Sequence, residues 1–396
     1  MRREARTDHG CAVPALAFAA ALAACAPVEE PPRLALEPIA VSGLPGWDGD
    51  AVSEAMPALK ASCAAFAAAP PSRAVGPDRL FGTAADWRDP CARLGAVPTG
   101  DDEAARAALA QSFRAFRATN RGNGTGLVTG YYEPELRGSR APSGRFRVPL
   151  YRTPPDLVTA DLGLFRPAFA GERIAGRVDG TALKPYAKRA EIERGALAGR
   201  GLELVWVDDA ADAFFLHIQG SGRVTLEDGS VVRVGYAGGN GHAYTAIGRE
   251  LARRGVMAPE DVSMQSLRAW LANNPDEAQA LMEVNDSYVF FRILEGEGPL
   301  GSQGVVLTPG RSLAVDARFL PLGAPVWLAT TDPVDAARPL RRLTVAQDTG
   351  GAIRGPVRAD LFWGHGADAA ERAGRMRQEG ELYLLLPRAL GDAIAR

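Results

Sequence analysis

Hydrophobic and polar positions repeat along the chain with two different periods, and the period changes from segment to segment. Apolar residues at helical spacing, with acidic residues near the start of one segment, predict helices. Two of these helices come before the region where strand-like patterns dominate. The predicted helices cover residues 50–69, 101–120, 242–255, 263–284 and 368–376.

Short runs of β-branched and aromatic residues, bounded by Gly, Pro or Asp, dominate the chain after about residue 125. Asp228 and Gly229 separate two such runs, and this turn signal predicts a β-hairpin. The pattern therefore predicts a mainly β fold with two β modules and peripheral helices. The predicted strands are 125–136, 145–152, 202–207, 213–226, 230–238, 287–294, 304–316, 324–330, 342–353 and 381–387.

The first 25 residues have the composition of an export signal. Arg2, Arg3 and Arg6 precede a short apolar run that ends in small residues. This run is shorter than the roughly 20 residues that span a bilayer. Its last four residues, Leu-Ala-Ala-Cys, resemble the bacterial lipobox, so Cys25 is the predicted lipidation site. A plain signal peptide that contains a cysteine is the alternative.

The residues that follow Cys25 are rich in proline and predict an extended tether over 26–47. Ala26 stands where an aspartate would often signal retention at the inner membrane, which favours a lipid anchor in the outer membrane, facing the periplasm. Export also permits a disulfide between Cys63 and Cys91. Two buried free thiols are the alternative.

Composition and charge narrow the possible partners and cofactors. The 396 residues suffice for two or three domains, and a net charge of −2 gives no pull toward nucleic acid. There is no CxxC pair, and the histidines that remain after processing are not at i, i+4 spacing: His217, His242 and His365. We therefore expect no nucleic-acid partner, no metal and no other cofactor.

Three aspartates at predicted strand ends are the strongest candidates for chemistry. Asp348 ends an alternating run, and a Gly-rich turn leads from it to Asp360, which precedes Phe362 and Trp363. An acid among aromatic side chains has a raised pKa, as a general acid near neutral pH requires. Asp316 follows another strand-like run. The alternative is that these are solvated loop residues.

Several motifs upstream contain residues that suit contact with a sugar. The Tyr-Tyr-Glu run before Pro134 could stack on and hydrogen-bond a sugar, or it could be core tyrosines with a surface glutamate. The Gln-Gly-Ser-Gly-Arg run suits a polar groove or a bulged strand. A Gly-rich stretch after residue 234 lacks the ending and the βαβ context of a phosphate loop, which excludes nucleotide binding. The candidate substrate-binding residues are Tyr131, Tyr132, Glu133, Gln219, Ser221, Arg223, Tyr236, Asn240 and His242.

Taken together and in order, these motifs resemble one known family. The chain is similar to the membrane-bound lytic transglycosylase A family, with its C-terminal three-aspartate domain, from about residue 126 to 387. The N-terminal 100 residues carry little of this similarity. The matching segments are GYYEPELRGS, FFLHIQGSGRV, GYAGGNGHAYTAIGREL, VDARFLPLGAPVWL and AQDTGGAIRGPVRADLFWG.

The resemblance implies a double-psi β-barrel domain built from N-terminal and C-terminal segments, with a second, smaller β-barrel domain inserted and helices at the periphery. A groove between the two domains would hold a glycan strand. The predicted division is 1–25 lipoprotein signal peptide, 26–47 tether, 48–135 helices and first part of the barrel, 136–284 inserted domain, and 285–396 three-aspartate part of the barrel.

The resemblance also implies a reaction. The family cleaves the β-1,4 bond between N-acetylmuramic acid and N-acetylglucosamine in peptidoglycan, and the sugar's own C6 hydroxyl attacks C1 to leave a 1,6-anhydromuramic end. The family's catalytic acid/base maps onto Asp360, and Asp348 and Asp316 map onto supporting positions that orient it and set its proton state. The implied partners are glycan strands, the membrane through the lipid anchor, and proteins of cell-wall synthesis or division.

Three alternative functions remain open from the sequence. A hydrolytic muramidase would need a second carboxylate opposite Asp360, for which Asp348 and Glu133 are the candidates. A non-catalytic peptidoglycan-binding lipoprotein would not need a buried acid. A metal-dependent enzyme would use the three aspartates as ligands.

Overall fold

The computed structural model describes residues 30–169, 171–296 and 298–395 of the chain. The predicted signal peptide, its lipidation site Cys25 and the first residues of the tether lie outside this range. Within the described residues, no helix combines the length and the apolar character needed to cross a bilayer.

The described strands and helices follow one another from Leu34 to Ile394. The strands are β1 (Leu34–Ile39), β2 (Phe113–Asn120), β3 (Gly126–Glu133), β4 (Glu135–Ser139), β5 (Val148–Tyr151), β6 (Val158–Asp161), β7 (Arg173–Asp179), β8 (Ala182–Pro185), β9 (Glu203–Val207), β10 (Ser221–Leu226), β11 (Val231–Gly239), β12 (Val289–Ile293), β13 (Ser312–Val315), β14 (Pro325–Thr331), β15 (Pro339–Asp348), β16 (Ala359–His365) and β17 (Arg377–Pro387). The helices are α1 (Met56–Ala68), α2 (Ala84–Gly95), α3 (Asp102–Ser112), α4 (Arg189–Glu191), α5 (Ala210–Gln219), α6 (Ile247–Arg253), α7 (Met264–Asn273), α8 (Pro275–Met282), α9 (Ala367–Arg375) and α10 (Arg388–Ile394).

The larger sheet contains a ring of strands drawn from both ends of the sequence. Its strand order is β1-β2-β17-β14-β15-β13-β16-β3, and β3 also pairs with β17. This second pairing closes β17, β14, β15, β13, β16 and β3 into a six-stranded barrel, while β2 and β1 extend the sheet beyond β17. The main hydrophobic core fills this barrel and the space under α1–α3, with Trp87, Phe113 and Trp327 almost fully buried.

A second barrel is inserted between β3 and β13 in the chain. Its sheet order is β12-β11-β10-β4-β9-β5, and a bridge between Arg152 and Phe291 joins its two ends. A separate small sheet of β6, β7 and β8 is formed by residues between β5 and β9 of the same inserted region. The expected fold class, a mainly β chain with a discontinuous barrel and an inserted smaller barrel, is therefore confirmed.

Local turn chemistry agrees with the structure at the predicted hairpin. β10 and β11 are antiparallel neighbours, and Gly229 adopts a φ of +81° at the turn between them. Glycine reaches this left-handed region without the steric cost that a Cβ would bring. A disulfide between Cys63 and Cys91 joins α1 to α2, a helix that the sequence pattern had not indicated.

Tertiary pairing overrides the helical pattern predicted over residues 101–120. The helix ends at Ser112, and residues 113–120 form β2, which lies between β1 and β17. Phe113 and Phe116 are buried in the core there. The predicted tether over 26–47 also needs correction, because residues 34–39 are the edge strand β1, paired antiparallel to β2.

Two further predicted elements differ from the structure. The strand predicted over 213–226 is a helix, α5, followed by strand β10. Asp209 caps the start of α5 by accepting from the amide of Asp212, and Gly220 ends it with a φ of +80°. The helix predicted over 263–284 is divided at Pro275, whose ring prevents an unbroken helix.

Candidate active site

The register of four strands brings two of the three candidate aspartates together. Asp360 lies in β16 beside Ala314 of β13 on one side and Thr129 of β3 on the other. Asp348 ends β15 and pairs with the same Ala314. The two acids therefore flank a single residue of β13, although they are twelve positions apart in the sequence.

Close backbone contact makes this arrangement possible. A Cβ atom on Gly126, the first residue of β3, would lie only 1.7 Å from the carbonyl oxygen of Val357, just before β16. Only glycine permits these two backbone segments to approach so closely here. The parallel pairing of β3 with β16, and with it the contact of Thr129 with Asp360, depends on that approach.

Asp360 is a partly buried carboxyl with a raised pKa. Burial raises its pKa to about 6, and the charge of Asp348 adds to the effect, while Arg358 and the hydroxyl of Thr129 act in the opposite direction. Thr129 Oγ1 donates to Asp360 Oδ1 at 2.7 Å, and Arg358 Nη2 donates to Thr129 Oγ1 at 2.9 Å. The carboxyl can therefore hold a proton close to neutral pH and still release it.

Asp348 is held by several hydrogen-bond donors. Its Oδ1 accepts from the backbone amide and the hydroxyl of Ser302, both at 2.9 Å, and from the amide of Thr349 at 2.8 Å. Its Oδ2 accepts from the Tyr131 hydroxyl at 3.0 Å. Burial raises the pKa of Asp348, and these donors oppose that rise. The orientation of this carboxylate is thus set by its neighbours.

Tyr131 connects the two acids with the aromatic wall of the site. Its ring lies 5.2 Å from that of Phe362, centroid to centroid. Burial raises the pKa of Tyr131 well above its usual value, and the charges of Asp348 and Asp360 raise it further. The hydroxyl therefore remains protonated and acts as a hydrogen-bond donor.

Asp316 is placed differently from the other two acids. It is 3% exposed, and Arg318 holds both of its oxygens, at 2.9 and 2.6 Å. Burial alone would raise its pKa, but Arg318 and the backbone amides of Gly355 and Arg318 hold the pKa below its usual value. Its Oδ2 accepts from the Gly355 amide at 2.7 Å, within the loop that joins β15 to β16. Asp316 thus anchors the loop that separates the other two acids.

The other two residues of the Tyr-Tyr-Glu run lie in the interior. Tyr132 is 6% exposed and packs with the helix α9 alanines, Ala369 and Ala373. Glu133 is 1% exposed and pairs with Arg233 of β11 at 3.1 Å. The predicted sugar contacts of these two residues are therefore corrected. Tyr132 packs in the interior, and Glu133 forms a buried ion pair between the two barrels.

The candidates on α5 and β10 lie at the junction of the barrels. Gln219 Oε1 accepts from the backbone amide of Tyr132 at 3.1 Å, which ties the end of α5 to β3. Arg223 is partly exposed and lies 3.9 Å from the Glu135 carboxylate. Ser221 is also partly exposed at the start of β10. These side chains retain some accessible surface.

The Gly-rich stretch that covers the end of β11 and the residues after it is only partly open to solvent. Tyr236 is 57% exposed. Asn240 is 1% exposed; its amide nitrogen donates to two backbone carbonyls and its oxygen accepts from the amide of Tyr288 at 2.9 Å. The predicted substrate contact of Asn240 is therefore corrected to pinning of a loop. His242 Nε2 lies 2.8 Å from the carbonyl oxygen of Tyr186.

Two residues that contact the acids carried no signal in the sequence. Thr129 reaches Asp360 only through the parallel pairing of β3 with β16, and Ser302 reaches Asp348 from a loop 46 residues away. Neither the composition nor the spacing of residues along the chain indicates these two contacts. Within the described part of the chain, no group of three or more His, Cys, Asp or Glu side chains is arranged to hold a metal.

Comparison with known families agrees with the two-part organisation of the fold. The family described as "MltA specific insert domain" matches residues 127–292, which include the inserted barrel. The family described as "3D domain" matches residues 311–386, which include Asp316, Asp348 and Asp360.

The chain is also similar to individual proteins. It is 32% identical over 268 residues to "Membrane-bound lytic murein transglycosylase A" of Vibrio cholerae. The matched region covers 66% of this chain and 66% of the relative, which is just under two thirds of the relative's length. A crystal structure of membrane-bound lytic murein transglycosylase from Agrobacterium tumefaciens superposes with a TM-score of 0.81 at 35% identity, covering 91% of this chain and 99% of that one. Escherichia coli MltA with bound chitohexaose matches with a TM-score of 0.63 at 26% identity, covering 90% and 95%.

Proposed function

The chain belongs to the membrane-bound lytic murein transglycosylase A family, and from this premise we propose that it is a peptidoglycan lytic transglycosylase. Its substrate is the β-1,4 bond between N-acetylmuramic acid and N-acetylglucosamine, and its product carries a 1,6-anhydromuramic end. The single observation that carries the proposal is Asp360, a partly buried carboxyl whose pKa of about 6 suits transfer of a proton in both directions. The E. coli relative, crystallised with chitohexaose, supports a glycan as the ligand class.

Asp360 performs both proton transfers in the proposed reaction. Its protonated carboxyl donates to the glycosidic oxygen as the bond from C1 to that oxygen breaks. The C6 hydroxyl oxygen of the same muramic acid then bonds to C1, and its proton passes to the Asp360 carboxylate, which restores the acid. One positioned acid or base of this kind contributes about 10²–10⁴-fold to the rate.

The neighbours of Asp360 set its orientation and proton state. Thr129 holds one carboxyl oxygen, which leaves the other oxygen available to the bond to be cleaved. Asp348 supports the protonated form of Asp360 through its charge and is itself oriented by Tyr131 and Ser302. Asp316 supports the site at a distance by anchoring the intervening loop at Gly355.

The observed contacts favour this reaction over simple hydrolysis. A hydrolytic muramidase needs a second carboxylate on the opposite side of the bond, as nucleophile or as base for a water. Glu133 is buried against Arg233, and each oxygen of Asp348 is already engaged by donors within the site. Attack by the substrate's own C6 hydroxyl requires neither a carboxylate nucleophile nor a base for a water.

Digestion of purified sacculi tests the proposal directly. The soluble form, starting after Cys25, is expected to release muropeptides that lack one water relative to hydrolytic products, and Asp360→Asn is expected to release none. Asp368→Asn, at an exposed position of α9, is the matched control and should retain activity. Reducing-end products would establish a muramidase instead. Binding to sacculi without any product would establish a binding protein.

We also propose a lipid anchor at Cys25 that holds the enzyme at the periplasmic face of the outer membrane, where it meets glycan strands and proteins of cell-wall synthesis or division. The lipobox-like residues before Cys25 support this location, and relatives are named membrane-bound. Membrane fractionation of cells producing the full chain or Cys25→Ala tests it. The variant should leave the outer-membrane fraction, and retention there would contradict the anchor.

A further inference from the structure

A basic pocket lies at the start of β15, at the opposite end of that strand from Asp348. Its cavity has a volume of about 340 Å³. Arginines dominate its wall, and a partly exposed tryptophan forms another side. The lining includes Arg338, Arg341, Arg342, Arg372, Trp363, Asp50 and Asp332.

The two carboxylates in the pocket wall are already occupied. Asp50 Oδ2 accepts from Arg311 Nη1 at 2.7 Å and from the Leu343 amide at 2.8 Å. Asp332 Oδ2 accepts from Arg372 Nη1 at 3.0 Å. These contacts pair Arg311 and Arg372 with carboxylates, whereas no described carboxylate forms an ion pair with the other arginines of the wall.

Arg342 is the most unusual of these arginines. Among the described residues no carboxylate lies within 4.0 Å of its guanidinium, and its only hydrogen bond there is a long one, 3.4 Å from Nη1 to the Gly310 carbonyl. Its Nε is buried and has no partner within the same range of residues. Burial lowers the pKa of Arg342, and the charges of Arg311 and Arg372 lower it further, while the charges of Asp50 and Glu54 only partly oppose this. An arginine so placed lacks the counter-charge that partly buried arginines normally have.

The pocket is separate from the acids of the proposed active site. Asp348 follows Arg342 by six positions in β15, which corresponds to about 20 Å along an extended strand. Trp363 follows Asp360 by three residues in β16, a distance of about 10 Å. The aromatic face of Trp363 lies 5.8 Å from the Arg342 guanidinium, so the ring orients the arginine at the pocket wall.

We propose that this pocket binds a small anion with a carboxylate or phosphate group, with Arg342 as its principal ligand. Guanidinium groups present paired N–H donors that match the two oxygens of such an anion. The cavity is large enough for one such group and the first atoms attached to it. The anion supplies the charge that Arg342 lacks within the described chain.

Two sources offer this chemistry in a cell envelope: the carboxylates of peptidoglycan stem peptides, and phosphate. The first source rests on the proposed function, since it is the substrate that brings the peptide to the enzyme. The anion site itself does not depend on glycan cleavage.

Calorimetric titration with inorganic phosphate, at constant ionic strength set by chloride, tests the site. The wild-type protein is expected to bind phosphate, and Arg342→Met is expected to weaken binding at least about tenfold, the effect of losing one charged hydrogen-bond donor. Arg93→Met is the matched control, because Arg93 is exposed on α2, away from the pocket. Its affinity for phosphate should equal that of the wild type.

The melting temperature without phosphate distinguishes a binding arginine from a structural one. Because no described carboxylate pairs with Arg342 and its buried Nε has no described partner, Arg342→Met should melt at or above the wild-type temperature. Competition with a soluble disaccharide-tetrapeptide then identifies the source: displacement of phosphate assigns the site to stem peptides, and failure to displace assigns it to phosphate. Equal phosphate binding by wild type and Arg342→Met, or no binding by either, would overturn the proposal.

Discussion

Replacing Asp360 by Asn should make the protein more stable at neutral pH while removing its activity. The pKa of Asp360 rises from 3.8 to about 6 on folding. This difference of about two units corresponds to about 3 kcal/mol, at about 1.4 kcal/mol per unit. The folded protein therefore loses about that much stability when this carboxyl ionises.

The sign of the pH dependence follows from proton binding. Between pH 3.8 and about 6 the folded protein holds a proton on Asp360 that the unfolded chain has already released. The free energy of unfolding therefore falls as pH rises through this window, and the loss is complete above the folded pKa. Asparagine does not ionise, so Asp360→Asn should avoid this loss, and Thr129 can still donate to its side-chain oxygen.

Urea denaturation of wild type and variant at two pH values measures this effect. The stability advantage of Asp360→Asn should be about 2–3 kcal/mol larger at about pH 7.5 than at about pH 4. Asp316→Asn is the matched control. The lowered pKa of Asp316 adds stability that is present above its unfolded pKa of 3.8 and is lost as pH falls below that value, so Asp316→Asn should be less stable than wild type by a nearly constant amount at both pH values. An advantage of Asp360→Asn that does not change with pH, or a stability gain in Asp316→Asn, would refute the reasoning.

Other predictions concern the rate, the site's hydrogen bonds and the scaffold. Activity on sacculi should decline as pH rises through about 6, because Asp360 must begin protonated; a plateau extending to pH 8 would argue against it as the acid. Thr129→Val removes a hydrogen bond that lowers this pKa, so the declining limb of the pH–rate profile should move up by about one unit; an unmoved limb would mean that the bond does not tune the acid. Glu133→Gln should cost about 3–5 kcal/mol in urea denaturation, because Arg233 is left buried without its counter-charge, while KM for solubilised glycan stays unchanged; a raised KM at full stability would restore the sugar-binding role. Reducing the disulfide of Cys63 should lower the free energy of unfolding by about 3 kcal/mol, and identical denaturation curves with and without reductant would contradict this.

Local patterns in the sequence predict much of the fold class. The choice between helix and strand was wrong in segments whose apolar residues fit both the helical and the strand period. Residues 113–120 follow a helical segment and carry apolar residues that satisfy both a helix and a strand, and only pairing with β1 and β17 decides for the strand. Residues 213–219 are apolar and aromatic like a strand, yet they form a helix. Their capping residues, Asp209 and Gly220, were the local signal for it.

The candidate site shows the same division. The three aspartates were identifiable because acids at strand ends beside glycines and aromatics are unusual, and the motifs around them resemble a known family. Their separate roles were not identifiable, since Asp316 is held by Arg318 and the Gly355 amide, whereas Asp360 lies beside Thr129 and Asp348. Asn240 and Glu133 appeared as polar groups available to a ligand, and only their burial shows otherwise.

The sequence by itself determined the mainly β character, the hairpin at Asp228 and Gly229, and the positions of the acids, because turn chemistry and side-chain alternation are local properties of the chain. The tertiary structure alone decided which groups surround those acids. Thr129 reaches Asp360 across 231 residues of sequence, and Tyr131 reaches Asp348 across 217. The pKa of a carboxyl depends on burial and on neighbouring charges, and both come into being only when the barrel closes.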